Sequence, residues 1–163
     1  MPKSIAVEHN VIVLNKNAFA ETCLDEKTGE RFLRSLCRFK AGAIVTPFKA
    51  SEHYTIPNVY TIQTGEESHI SLFPIALHYT NHSCHPNVFF DNNSMNLVAI
   101  REIEPGDSLC FFYPSTEWKM ANPFICQCGT DACLGKISGA IDVPVDILST
   151  YRLSDFIRNK ISG

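Results

Sequence analysis

The sequence predicts one mainly β domain with a cysteine-rich segment and a short helical end. Three observations predict it. The chain has 163 residues, enough for one hydrophobic core and too few for two independent folds. Turn signals recur at short intervals and separate brief runs rich in β-branched and aromatic residues. Helical periodicity is confined to the C-terminal end.

The first strand is predicted at Val11–Leu14. The run Asp25-Glu26-Lys27-Thr28-Gly29-Glu30 is polar apart from its glycine and reads as a loop, and Lys40-Ala41-Gly42 is a further break. Strands follow at Ile44–Phe48, Val59–Gln63, His69–Leu72 and Val88–Phe90. Asp91-Asn92-Asn93-Ser94 is a turn and should join Val88–Phe90 to Leu97–Arg101 as a hairpin. Glu104-Pro105-Gly106-Asp107 is another, expected to join Leu97–Arg101 to Leu109–Tyr113. Near the end, Ser154 is placed to cap a short helix carrying Phe156, Ile157 and Ile161 on one face. There is no internal repeat and no low-complexity stretch.

Composition narrows the function. Hydrophobic residues at 45% and charged residues at 19% are those of a globular protein rather than a disordered one. No apolar run approaches the roughly 20 residues that span a bilayer. The start, Met1-Pro2-Lys3-Ser4, has no long apolar stretch behind it, so a secretory signal is not expected. A net charge of -3 argues against gripping a phosphate backbone, so no direct nucleic-acid binding is expected. Seven cysteines, an odd number, do not suit a secreted disulfide framework. The expectation is an intracellular protein, in the cytoplasm or nucleus, with some cysteines on a metal.

Three of those cysteines fall within eight residues, in Cys126-Gln127-Cys128-Gly129-Thr130-Asp131-Ala132-Cys133. Thiolates at this density suit a soft tetrahedral ion, of which zinc is the usual one. Gly129 and Gly135 allow the tight turns that convergence of three sulfurs needs. A structural zinc takes four protein ligands. The spacing leaves the fourth open among Cys23, Cys37, Cys84, Cys110 and a histidine. The other unusual stretch is Asn81-His82-Ser83-Cys84-His85-Pro86-Asn87, which is polar yet lies between apolar runs. Read alone, it is either a polar turn or a site, because embedded polar side chains must find partners.

The segment Asn81-His82-Ser83-Cys84-x-Pro86-Asn87 resembles the asparagine–histidine signature of the SET-domain protein lysine methyltransferases. Ile103-Glu104-Pro105-Gly106-Asp107 followed by Ser108 to Tyr113 is similar to that family's second signature, a Gly-acidic turn and a strand ending in tyrosine. Cys126-x-Cys128-x4-Cys133-x-Gly135 resembles its post-SET zinc motif. The motifs stand in the family's order and cover roughly residues 39 to 137. The resemblance implies a SET-domain fold of small curved β-sheets. Its C-terminal segment threads beneath a loop as a pseudoknot, setting Asn81-His82 beside Tyr113. It divides the chain into a SET domain (1–119), a post-SET zinc-binding segment (120–140) and a C-terminal helical tail (141–163). It also makes Cys84 the fourth zinc ligand beside Cys126, Cys128 and Cys133.

For activity, the resemblance implies methyl transfer from S-adenosylmethionine to a lysine of a protein or peptide, histones included. Tyr113 matches the catalytic tyrosine, Asn81 and His82 the cofactor-contacting pair. Tyr79, Tyr60 and Phe112 are candidates for the lysine channel. The only tryptophan, Trp118, is expected to cover core. The chemistry needs these residue types. Free lysine has a pKa of about 10.4, and the attacking amine must be neutral. An apolar channel and a neighbouring sulfonium cation both disfavour the ammonium. What remains is alignment and a polar wall, for which a tyrosine hydroxyl is suited because it carries no full charge.

The sequence departs from the family on the cofactor side. Glu30-Arg31-Phe32 stands where the family has a Gly-x-Gly turn, with Gly29 one residue away. Arg31 or Arg34 could instead hold the cofactor carboxylate, as arginine does well. After the last cluster cysteine, Lys136-Ile137 replaces an aromatic that would lie on the adenine. These losses leave a second reading open, a catalytically weak or inactive SET-like module that binds a peptide or partner protein.

Overall fold

The computed structural model describes residues 10–163. The first nine residues, and with them the start of the expected SET segment, lie outside the described residues. Along the chain run β1 (Val11–Lys16), β2 (Ala20–Asp25), β3 (Arg31–Ser35), β4 (Ile44–Pro47), β5 (Lys49–Tyr54), β6 (Thr61–Gly65) and β7 (Ser68–Phe73). Then come β8 (Asn81–His82), β9 (Val88–Asp91), β10 (Asn96–Ala99), β11 (Cys110–Phe111), β12 (Phe124–Ile125) and β13 (Lys136–Ile137). Two short helices, α1 (Val145–Leu148) and α2 (Asp155–Ser162), end the chain.

The strands form small sheets, as a mainly β SET fold requires. Three have three strands, in the orders β1-β2-β3, β4-β10-β9 and β5-β7-β6, and the pairs β11-β8 and β12-β13 complete the set. Their turns have local causes. The Asn17 side chain accepts the N–H groups of Phe19 and Ala20 at 3.0 and 2.8 Å and so closes the β1–β2 turn. The polar run after Asp25 is a hairpin loop, with the Asp25 carboxylate accepting Lys27 N–H at 2.8 Å and Gly29 at φ 75°. The expected β9–β10 hairpin forms, with Asp91 accepting Asn93 N–H at 3.0 Å.

The expected pairing across Pro105-Gly106 does not form. Both edges of β10 are already occupied, by β9 and β4. The segment after the turn instead bridges Arg34 at Ser108 and then runs parallel to β8. Asn81 pairs with Cys110, and His82 with Phe111. This parallel contact is what a threaded C-terminal segment has to make. Six further strands, β2, β3, β5, β8, β12 and β13, are not among those the sequence predicts. The strand expected at Val59–Gln63 begins only at Thr61, and that at Leu109–Tyr113 is ordered only over Cys110–Phe111 before a 3-10 turn at Tyr113–Ser115.

The largest core gathers Leu33, Phe90, Leu97, Ile103 and Leu109, all nearly inaccessible. A second packs Phe112 against Leu148, Leu153 and Ile157 of the tail. A third surrounds Cys84 and Cys126 with Ile137. The expected C-terminal helix is α2; the Ser154 hydroxyl accepts Ile157 N–H at 3.3 Å, and Ile157 is the face it buries.

Candidate active site and cysteine centre

A cleft of about 1080 Å³ opens where β3, β8 and the residues after β11 meet. Arg31, Tyr60, Tyr79, Asn81, His82 and Tyr113 all line it, so six of the expected site residues come together. The β8–β11 pairing does the gathering. It sets the Tyr113 backbone N–H 3.1 Å from Nδ1 of His82, to which it donates. That contact fixes the tautomer: with Nδ1 accepting, the ring proton is on Nε2, which faces the Cys84 sulfur at 3.3 Å. Burial pulls the His82 pKa down to about 4, so the ring is neutral at physiological pH. His82 is therefore a brace, joining the tyrosine segment to the cysteines, and its ring packs edge-on to Tyr113 at 5.2 Å.

Asn81 donates from Nδ2 to the Arg31 carbonyl at 2.9 Å and ties β8 to the start of β3. Tyr113 is half-buried, and its hydroxyl lies 3.5 Å from the Thr80 carbonyl. Burial pushes its pKa up, so the hydroxyl keeps its proton. Arg31 donates to the Tyr79 hydroxyl at 3.3 Å and sits 5.6 Å over that ring. Tyr60 stands at the rim, 46% exposed, stacked on His78 with ring centres 5.1 Å apart.

Two expected residues lie elsewhere. Arg34 does not line the cleft; its guanidinium grips the buried Glu21 carboxylate at 2.7 Å across β2 and β3. A cofactor role is not carried forward for it. Phe112 is no channel wall either, because it faces the tail and stacks on Tyr151 at 3.7 Å. Trp118 covers the second core as expected, with Lys160 5.1 Å over its ring.

The four cysteines converge. The sulfurs of Cys84, Cys126, Cys128 and Cys133 all lie within 4.8 Å of one another, and those of Cys84 and Cys126 are 3.9 Å apart. A tetrahedral zinc with bonds of about 2.3 Å needs sulfurs about 3.8 Å apart, so the set fits that ion after slight contraction. Backbone N–H groups of Leu134 and Cys128 point at the sulfurs of Cys84 and Cys126, each at 3.4 Å, as thiolates favour. Gly129 and Gly135 take φ values of 69° and 78°, turns that a side chain would strain. Cys23, Cys37 and Cys110 stand apart from the cluster.

Three cleft residues escaped the sequence reading. Phe124 lies 5.6 Å from His82 and 5.8 Å from Tyr113. It supplies from β12 an aromatic that the sequence lacks after Cys133, where Ile137 fills core instead. His78 lies behind Tyr60, and Glu117 is buried in the cleft wall. Neither stands in a recognisable motif.

A threaded pair of signatures and a four-cysteine centre define a class, and the comparisons agree with it. The SET domain family matches residues 8–114, and the chain belongs to that family. It is 37% identical over 132 residues to the methyltransferase flvH of Aspergillus flavus, covering 80% of this chain and 74% of that protein. It is also 36% identical over 67 residues to a histone-lysine N-methyltransferase, H3 lysine-36 specific, of Chaetomium globosum; this is 37% of the chain and 7% of that protein. The fold and these relatives support methyl transfer as the chemistry. Among the described residues, no helix is long and apolar enough to cross a membrane.

Proposed function

We propose that the protein transfers a methyl group from S-adenosylmethionine to a lysine side chain of a protein or peptide, histones being candidate substrates. The observation that carries the reading is the parallel β8–β11 contact, which gathers Asn81, His82 and Tyr113 on one cleft. When bound, S-adenosylmethionine supplies an activated methyl group. The residues of the cleft fit it. The Asn81 amide and the Arg31 guanidinium suit an amino group and a carboxylate, and the Phe124 ring suits a purine face.

The remaining work falls to this chain's own side chains. Tyr113 offers a protonated hydroxyl that adds no charge beside the reacting nitrogen. Ile62, Leu72 and Leu77 give apolar walls that favour the neutral amine. Tyr79 and Tyr60 guide the aliphatic stem of lysine from the rim inward. Cys84, Cys126, Cys128 and Cys133 would hold a zinc ion in a structural role, tying the 120–140 segment to the loop that carries Cys84. This assigns residues up to about 119 to catalysis and those beyond 140 to support.

The alternative is a SET-like module that binds a peptide without turnover. It is favoured by Glu30-Arg31-Phe32 in place of glycines, and by the Asn81 amide being already bonded to Arg31. Calorimetry with S-adenosylmethionine separates the two. Binding, followed by label transfer from S-adenosylmethionine to core histones or lysate proteins, supports the enzyme. Absence of both leaves the binding module.

A further inference from the structure

The mechanism above makes no use of Glu117, yet its place in the cleft is unusual. It follows Tyr113 by one helical turn, with its N–H donating to the Tyr113 carbonyl at 3.0 Å. The residue is 8% exposed and still contributes to the cleft wall. One carboxylate oxygen accepts the backbone N–H of Gln63 at 2.8 Å. No lysine or arginine pairs with it among the described residues. The other full charges on the cleft lining, Glu30 and Arg31, are exposed. A buried carboxylate without a cation is costly, because desolvation is not offset by a partner. Burial duly pushes the Glu117 pKa up to about 7, against the pull of the Gln63 N–H. Such a group has most to gain from a cation that arrives through the cleft.

We propose that the Glu117 carboxylate is the specificity-determining anion of the cleft, selecting substrates that present a protonated primary amine. The proposal deepens the methyltransferase reading and rests on it. The ammonium of the substrate would pair with Glu117 in a cleft whose nearby walls, Thr61, Ile62 and Leu77, carry no charge. Within that pair the ammonium proton can pass to the Glu117 oxygen. The products are a neutral carboxyl and the neutral amine that methyl transfer needs, and no charge is left over. A neutral group of the same shape would leave the carboxylate unpaired and so would be rejected.

The test uses n-butylammonium as a lysine-stem probe and butan-1-ol as its neutral counterpart. Each is titrated into wild-type protein and Glu117→Gln, with S-adenosylhomocysteine present, and followed by amide NMR shifts at pH 8. Wild type should prefer the ammonium by at least about tenfold, and Glu117→Gln should bind both within about twofold. Glutamine keeps an acceptor for Gln63 N–H, so the fold should persist; Glu117→Asp, which retains the charge, should keep the preference. If Glu117→Gln does not fold, carboxyl-labelled wild type still decides. Butylammonium should then move the Glu117 titration to lower pH. Equal affinity of wild type for both probes, a preference retained in Glu117→Gln, or an unmoved titration would overturn the proposal. Calorimetry with S-adenosylhomocysteine alone is read separately. Its failure counts against the methyltransferase reading, whereas bound S-adenosylhomocysteine without amine selection counts against Glu117 only.

Discussion

At the scale of single residues, the site is built from groups kept uncharged by burial. Tyr113 keeps its proton and His82 stays neutral, so these two side chains contribute polar groups to the cleft without adding charge. Tyr113→Phe deletes one hydroxyl whose hydrogen bond among the described residues is a long one, 3.5 Å to the Thr80 carbonyl. Stability should change by less than about 0.5 kcal/mol. If the hydroxyl contacts the transition state, turnover should fall by about 100-fold, or roughly 2.7 kcal/mol, with S-adenosylmethionine affinity within about threefold. Single-turnover label transfer beside calorimetry checks both halves. Glu117 gives a pH prediction of definite sign. Its folded pKa of about 7 lies above the ordinary 4.5, so between these values the folded state holds the extra proton. Stability is therefore greatest below about pH 4.5 as far as this group is concerned, and is lost as pH rises through 7. Glu117→Gln should raise the thermal midpoint at pH 8, by an amount equivalent to about 1–3 kcal/mol, and leave it nearly unchanged at pH 5. Equal shifts at both pH values would show that the carboxylate is solvated rather than buried.

At the scale of elements, the cysteine segment is short of everything except its sulfurs. β12 and β13 are two residues each, and of the loop between them only Cys126 is buried. A hairpin of that size has no stability of its own. Protein purified without added zinc should carry about one equivalent, and Cys84→Ser should lower zinc affinity and activity together. Chelation should expose amides 124–137 to hydrogen exchange while the β1-β2-β3 sheet stays protected; protection unchanged after chelation would remove zinc from the account. The cysteines, the NHSC segment and the capped end of α2 were legible because their chemistry is local: ligands at set spacing, polar residues between apolar runs, a serine before an apolar face. β2 was not. Its Glu21 and Thr22 look like solvent-facing residues, and Glu21 is buried between two cations of its neighbouring strands, Arg34 on β3 and Lys16 on β1. Such an ion pair exists only once the strands are paired, so neither strand shows it alone. The partner of the segment after Pro105-Gly106 was hidden for a related reason. Turn chemistry fixes a reversal, but which edge remains open to receive the chain depends on the whole sheet.

At the scale of the whole molecule, the C-terminal tail packs directly behind the segment that carries Tyr113. Its residues Leu148, Leu153 and Ile157 bury themselves against Phe112, the neighbour of Tyr113. Tyr151 stacks on Phe112 with planes 10° apart, and its hydroxyl donates to the Cys84 carbonyl at 2.6 Å. One tyrosine of the tail thus touches both Phe112, the residue before Tyr113, and the loop that presents Cys84 of the cysteine cluster. Removing the tail would expose three large apolar side chains' worth of core, at about 1.5–3 kcal/mol each, which is comparable to the whole stability of a domain. Truncation would therefore unfold the protein and teach little about coupling. A double-mutant cycle is sharper. Phe112→Leu and Tyr151→Leu each keep an apolar side chain and remove half of the stack. If the tail and the catalytic strand act as one unit, the pair should show a coupling energy of about 1 kcal/mol in denaturant unfolding. Tyr151→Phe keeps the stack and removes only the bond to Cys84, so it should cost about 1 kcal/mol in stability and weaken zinc binding measurably. A coupling energy near zero, with zinc affinity unmoved by Tyr151→Phe, would mean that the tail packs on the domain without bracing its site.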